Sequence, residues 1–264
     1  MPDSADAIDR APIGALPDAA IRPLAVAGLD LTGVLEITRY DALVPQGWQS
    51  RVLLPLARSA WVIGSGGDVL ARRARAEGGP DPVDRATSRA IDGCVRALTE
   101  SGHAALALHA FEQRDVDGQR TQRAGHYADF VALAHAAGLG APSRLRLLVH
   151  PVYGPWIAIR SVVLTSAKLA PTSLARDFAP CDGCAAPCRD VCPARALSKG
   201  DLAWDVCRAE RLRNTDCALR CAARRACVFG REHAYGDEVE AHFMRNSLRM
   251  AAGRDPRDSI DPDA

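Results

Sequence analysis

Cys181, Cys184, Cys188 and Cys192 fall within twelve positions of the run "CDGCAAPCRDVCP", and Pro193 follows the last of them. Thiols packed this closely suit a disulfide knot, a zinc site or an iron–sulfur cluster. Cys207, Cys217, Cys221 and Cys227 lie downstream, so eight of the nine cysteines occupy one segment, and Cys94 stands apart. Eight is two sets of four.

Spacing separates the three chemistries. A 4Fe–4S cube takes one thiolate per iron, and the bacterial ferredoxin run is C-x2-C-x2-C-x3-C-P, whose fourth cysteine ligates the other cluster in two-cluster proteins. Here the run is C-x2-C-x3-C-x3-C-P, one residue longer in the middle. Pro193 fixes the backbone angle just after Cys192 and removes a donor, which helps the chain leave the loop. A structural zinc site pairs two short knuckles across a wider gap. In this chain the upstream steps follow without a gap, and the downstream trio has no C-x2-C. Iron–sulfur is therefore preferred to zinc or free thiols.

Charge adds a softer argument. From Arg176 to Arg231 there are eleven Arg/Lys against seven Asp/Glu, a surplus of four. Two oxidised 4Fe–4S clusters with their thiolates carry about −2 apiece, which cancels it. A solvated basic face, or an RNA contact, is the plainer alternative.

The whole chain has 264 residues, 48% of them apolar and 25% charged, so it can bury a core without disulfides. Its net charge of +1 gives no global attraction for nucleic acid or an anionic membrane. The opening residues carry acids and prolines where a signal peptide needs a basic and then an apolar stretch, and no apolar run approaches the ~20 residues of a spanning helix. A cytoplasmic protein is expected, with no membrane and no nucleic-acid partner. In a reducing compartment cysteines serve as ligands more often than as bridges.

Four regions are expected: a disordered lead (1–20), an α+β domain (21–172), the cysteine-bearing domain (173–235), and a C-terminal helix with a disordered tail (236–264). In the first domain "SAWVIGSGG" reads as a strand entering a glycine turn, and "AALALHAF" as another strand. Pro82 to Ser101 forms a helix with Val83, Ala86, Ala90, Ile91, Cys94, Val95 and Leu98 on one side, which makes Cys94 a core residue. "YADFVALAHAAGLG" is a helix stopped by Gly138 and Gly140. "RLRLLVHPVYGPWIAIRSVVLTS" gives two strand-like runs either side of a Pro/Gly turn, most simply an antiparallel pair. The cysteine-bearing domain has few apolar runs, so its order must come from what the thiols bind.

This order of features resembles the epoxyqueuosine reductases and, more distantly, the reductive dehalogenases. The matching residues are "AGLG" at Ala137 to Gly140, "LLVHPVYGPW" at Leu147 to Trp156, "VLT" at Val163 to Thr165, the run from Cys181 to Pro193, Cys207 and the final trio. The resemblance implies a nitroreductase-like domain followed by a two-cluster ferredoxin-like domain, with cobalamin as catalytic cofactor. It implies one cluster on Cys181, Cys184, Cys188 and Cys227, and the other on Cys192, Cys207, Cys217 and Cys221. It also sets the hairpin of His150, Tyr153, Gly154 and Trp156 beside the cobalamin. A turn plugging the domain junction is the structural alternative for that hairpin.

The departures point to a sister group. The trio here is C-x3-C-x5-C followed by Val228, "AGLG" continues into Ala141-Pro142-Ser143-Arg144, and the family's catalytic aspartate falls on Ala124. No tRNA-binding helical repeats follow the cysteine region, so epoxyqueuosine reduction itself is not expected. A relocated proton donor would be Tyr127 or His126, close to Asp129, although the start of a helix is the plainer reading of both. Gly64 to Gly67 could cradle a phosphate, and His233 could be a ligand; a strand exit and an exposed loop are the plainer readings.

The leading expectation is a reductase whose two 4Fe–4S clusters take electrons from a flavodoxin or ferredoxin and pass them to cobalamin, with flavin as the other cofactor the scaffold admits. A ferredoxin-like carrier without its own catalytic cofactor comes second. A zinc-stabilised RNA-binding module comes third.

Overall fold

The computed structural model describes residues 17–111, 128–173, 178–198 and 200–251. Helix α1 (Asp18–Ala27) leads into strand β1 (Leu31–Glu36) and two short helices, α2 (Ile37–Asp41) and α3 (Ser50–Leu53). Strand β2 (Ser59–Gly66), helices α4 (Val69–Ala76) and α5 (Pro82–Glu100), and strand β3 (Ala105–His109) follow. After them come α6 (Phe130–Ala136), the two-residue strands β4 (Ala141–Pro142) and β5 (Leu148–Val149), and the long strand β6 (Ile157–Thr165). The cysteine-bearing segment contributes α7 (Pro187–Asp190), α8 (Trp204–Arg213), α9 (Thr215–Leu219) and α10 (Ala222–Arg225), and α11 (Asp237–Ala251) ends the described chain.

The main sheet has the order β1-β2-β6-β3, and every neighbouring pair in it is antiparallel. Successive residues of a strand face opposite sides, and both sides are covered here. Trp61, Ile63 and Val163 look toward α1, α4 and α5, whereas Ala60, Val62, Val162 and Leu164 look toward α6 and the β1–β2 connection. Burial on both faces explains why "AWVI" reads as an unbroken apolar run. The result is a mixed helix–sheet fold.

Helix α5 forms where the 3.6-residue spacing places it. Pro82 occupies its first turn, and Val83, Ala86, Ala90, Ile91, Cys94 and Leu98 are buried, with Val95 half-buried beside them. Helix α6 starts later than the apolar pattern suggests. Asp129 is its N-cap and accepts from the Val131 and Ala132 N–H groups at 2.9 and 3.0 Å. Gly138, at φ +78°, ends it.

Two expectations change. Helix α1 begins at Asp18 and fully buries Ala20, so it takes in residues assigned to the disordered lead; positions 1–16 and the tail from 252 lie outside the described residues. The runs flanking the Pro/Gly turn are not partners either. β5 pairs with β4, and β6 runs between β2 and β3. Only the His150–Gly154 bridge joins the two sides of the turn. A nine-residue strand has hydrogen-bonding groups on both edges, and only the main sheet satisfies both.

No helix among the described residues is long and apolar enough to cross a membrane.

Candidate metal centre

The cysteine-bearing segment is built from short helices around very little oil. Its own core cluster consists of Leu145, Leu197 and Ala223, with Cys188, Cys192 and Cys221 packed against it. Leu145 is a loan from the β4–β5 loop of the preceding region.

Cys181, Cys184, Cys188 and Cys227 line one small cavity, roofed by Arg144 and Leu145. A turn over 180–183, with Gly183 at φ +67°, carries Cys181 and leads directly into Cys184. Ala186 then adopts a left-handed φ of +54°, and Pro187 starts α7, which holds Cys188. Backbone N–H groups point at the sulfurs: Arg144 N donates to Cys181 Sγ at 3.5 Å and Ala186 N to Cys184 Sγ at 3.4 Å. Burial pushes the Cys188 thiol up, and the neighbouring Cys181, Cys227 and Cys184 push it further. Burial likewise raises Cys227, while the Phe229 N–H acts against it.

Cys192, Cys207, Cys217 and Cys221 form the second set. Cys207 lies on α8, Cys217 on α9, and Cys221 caps α10 by accepting the Arg224 N–H at 3.4 Å. Burial raises the Cys217 thiol to about 11, reinforced by Cys207, Cys221 and Cys192. Cys207 is raised by burial and by Cys221 and Cys192, with Arg211 opposing. Cys221 N–H donates to Glu240 Oε1 at 3.0 Å; Glu240 is wholly buried and takes Arg225 Nε on its other oxygen at 2.6 Å.

Each set therefore contains thiols that raise one another, as four adjacent anions would repel. A cationic inorganic core reverses that penalty by taking the thiols as thiolates. The donor sets, their inward N–H groups and their crossed order along the chain fit such a group. Among the described residues, no three Cys, His, Asp or Glu side chains converge as ligands of a single metal ion.

The hairpin residues occupy the seam between the two regions. His150 is buried, and its Nδ1 accepts the Val152 and Tyr153 N–H groups at 3.1 and 3.2 Å. The Tyr153 ring covers Gly66 and its hydroxyl donates to Asp30 Oδ2 at 2.5 Å. Gly154, at φ +56°, has no room for a Cβ, which would run into the Phe229 carbonyl. The Trp156 ring is buried, edge-on to Tyr235 with centroids 5.3 Å apart.

The glycine turn after β2 is likewise engaged. Gly66 N donates to Asp30 Oδ1 at 2.9 Å and Gly67 N to the Trp156 carbonyl at 2.8 Å, which favours the strand-exit reading over a phosphate cradle. The His233 ring lies tilted against that of Tyr153, with centroids 4.7 Å apart. His126, Tyr127 and Ala124 lie outside the described residues. Sequence reasoning missed Asp30, Arg224 and Glu240, because nothing in their local sequence marks the partners the fold brings to them.

No known family model matches the sequence, and no curated protein matches it significantly. Solved structures do. An epoxyqueuosine reductase crystallised with an epoxyqueuosine-modified tRNA-Tyr stem loop aligns over 89% of this chain and 69% of its own, with a TM-score of 0.51 and 17% identity. A selenomethionine-labelled epoxyqueuosine reductase aligns over 84% and 70%, with a TM-score of 0.51 and 16% identity. A reductive dehalogenase, whose structure suggests a mechanism for B12-dependent dehalogenation, aligns over 92% of this chain but 36% of its own, with a TM-score of 0.51 and 15% identity. At these identities the likeness is one of fold.

Proposed function

We propose that the chain is an iron–sulfur redox protein, in which a nitroreductase-like domain (21–172) is followed by a ferredoxin-like domain (173–235) with two 4Fe–4S clusters. The observation that carries this reading is the cavity that the distant Cys227 shares with Cys181, Cys184 and Cys188 but not with Cys192, which leaves Cys192 with Cys207, Cys217 and Cys221 for a second set. When bound, the clusters supply one-electron transfer. The chain's own part is to orient the thiols, aim N–H groups at them and exclude water.

The electron donor in this reading is a flavodoxin or ferredoxin, and the acceptor a cobalamin-type cofactor serving a reductive reaction. Support for cobalamin comes from the fold shared with a structure of B12-dependent dehalogenation. Of the four hairpin residues, His150, Gly154 and Trp156 are enclosed by protein, and Tyr153 is half-buried and open to such a partner. No proton step is assigned to His126 or Tyr127 beyond their candidacy as donors. The enclosure of the hairpin also favours the second reading, a ferredoxin-like electron carrier without its own catalytic cofactor. Nucleic acid enters only by way of the neighbour seen with a tRNA stem loop.

Protein purified without oxygen is expected to be brown, with about eight irons and about eight sulfides per chain. A colourless preparation holding zinc overturns both redox readings. Titration with cobalamin separates them: a shifted cobalamin spectrum supports the reductase, and an unchanged one at high concentration supports the carrier. Salt-sensitive retention on RNA marks the third possibility.

A further inference from the structure

Cys221, in the second thiol set, adjoins a charged residue of each sign. Its N–H donates to the Glu240 carboxylate at 3.0 Å, and its sulfur accepts the backbone N–H of Arg224, whose side chain carries the positive charge, at 3.4 Å.

Neither charge is free to drift away. The Arg224 guanidinium packs against two adjoining rings, 4.6 Å from the centre of Trp156 and 4.8 Å from that of Tyr235, and Nη2 donates to the Pro155 carbonyl at 2.6 Å. Glu240 has no solvent exposure, and Arg225 grips its second oxygen at 2.6 Å while also reaching Asp237 at 2.9 Å. Charges fixed in a buried setting act strongly and are screened little by salt.

Resting on the two-cluster reading, the geometry points to Cys221 as the corner at which the protein sets the reduction potential of the second cluster, Glu240 lowering it and Arg224 raising it. On reduction a cluster gains one electron from the flavodoxin- or ferredoxin-class donor, its net charge becomes more negative, and no bond forms or breaks. A neighbouring anion disfavours that change and a neighbouring cation favours it. Because Arg224 is clamped by Trp156, the potential is also tied to the seam with the first domain.

The experiment is a redox titration of the full chain, purified without oxygen, followed by electron paramagnetic resonance with iron measured on the same samples. Glu240→Gln keeps an oxygen for the Cys221 N–H and removes the charge; one of the two midpoints is expected to rise while the other stays. Arg224→Gln is expected to lower that same midpoint, and Arg224→Lys to return it toward the parent value. If Glu240→Gln fails to hold iron, the Arg224 pair decides. Two full clusters with midpoints unmoved in the Arg224 variants overturn the tuning role and leave the two-cluster reading intact. A parent protein without iron overturns that reading and the tuning role with it.

Discussion

The guanidinium of Arg224 lies over the Trp156 ring at 4.6 Å, while the N–H of the same residue donates to the sulfur of Cys221. Trp156 belongs to the region before the cysteines and Cys221 to the cysteine-bearing one. One residue thus joins the aromatic seam to a candidate ligand, so the seam and the thiol sets are parts of one structure.

Trp156→Ala is expected to destabilise the protein by about 3–5 kcal/mol, the range for emptying a buried aromatic site. Trp156→Phe keeps a ring beneath Arg224 and is expected to cost less. Urea unfolding midpoints measure both, and equal losses in the two variants would count against the stacked arrangement.

Cys188→Ser and Cys217→Ser remove one ligand from different sets. Each is expected to retain about half of the parent iron, and the spectra of the residual clusters should differ between them. Cys94→Ser is expected to keep it all. A Cys217→Ser protein with a full iron complement would show that the second set is wrongly drawn.

Gly154 and Gly183 both have left-handed φ values, +56° and +67°, but differ in what surrounds them. Gly183 has open space around its missing Cβ, so Gly183→Ala is expected to cost about 1–2 kcal/mol of backbone strain alone. Gly154→Ala drives a methyl group into the Phe229 carbonyl as well and is expected to cost more. Thermal melts of the iron-loaded proteins rank the two.

Burial raises the Cys94 thiol from its ordinary 9.0 to about 12. The folded state therefore favours the neutral thiol. That contribution to stability is complete below about pH 9 and is lost as pH rises toward about 12. In iron-loaded protein at pH 8, Cys94 should resist alkylation until denaturant is added. Cys94→Ala should weaken the alkaline fall in stability, and rapid alkylation of native protein would refute the buried assignment.

Local chemistry carried much of this protein into view. Ligand type and spacing singled out the eight thiols, since a short loop can present only a few sulfurs to one centre. Periodicity placed α5 and the run "AWVI", because regular backbone repeats its faces at fixed intervals. Tertiary structure decided what no interval encodes. The strands either side of the Pro/Gly turn joined different sheets because β6 needed partners on both edges. Leu145 and Arg144 came to cover the first thiol set across a separation of tens of residues. Glu240 reached Cys221 from a helix whose sequence reads as an ordinary charged surface, and a carboxylate's burial depends on which cation the fold brings to it, here Arg225.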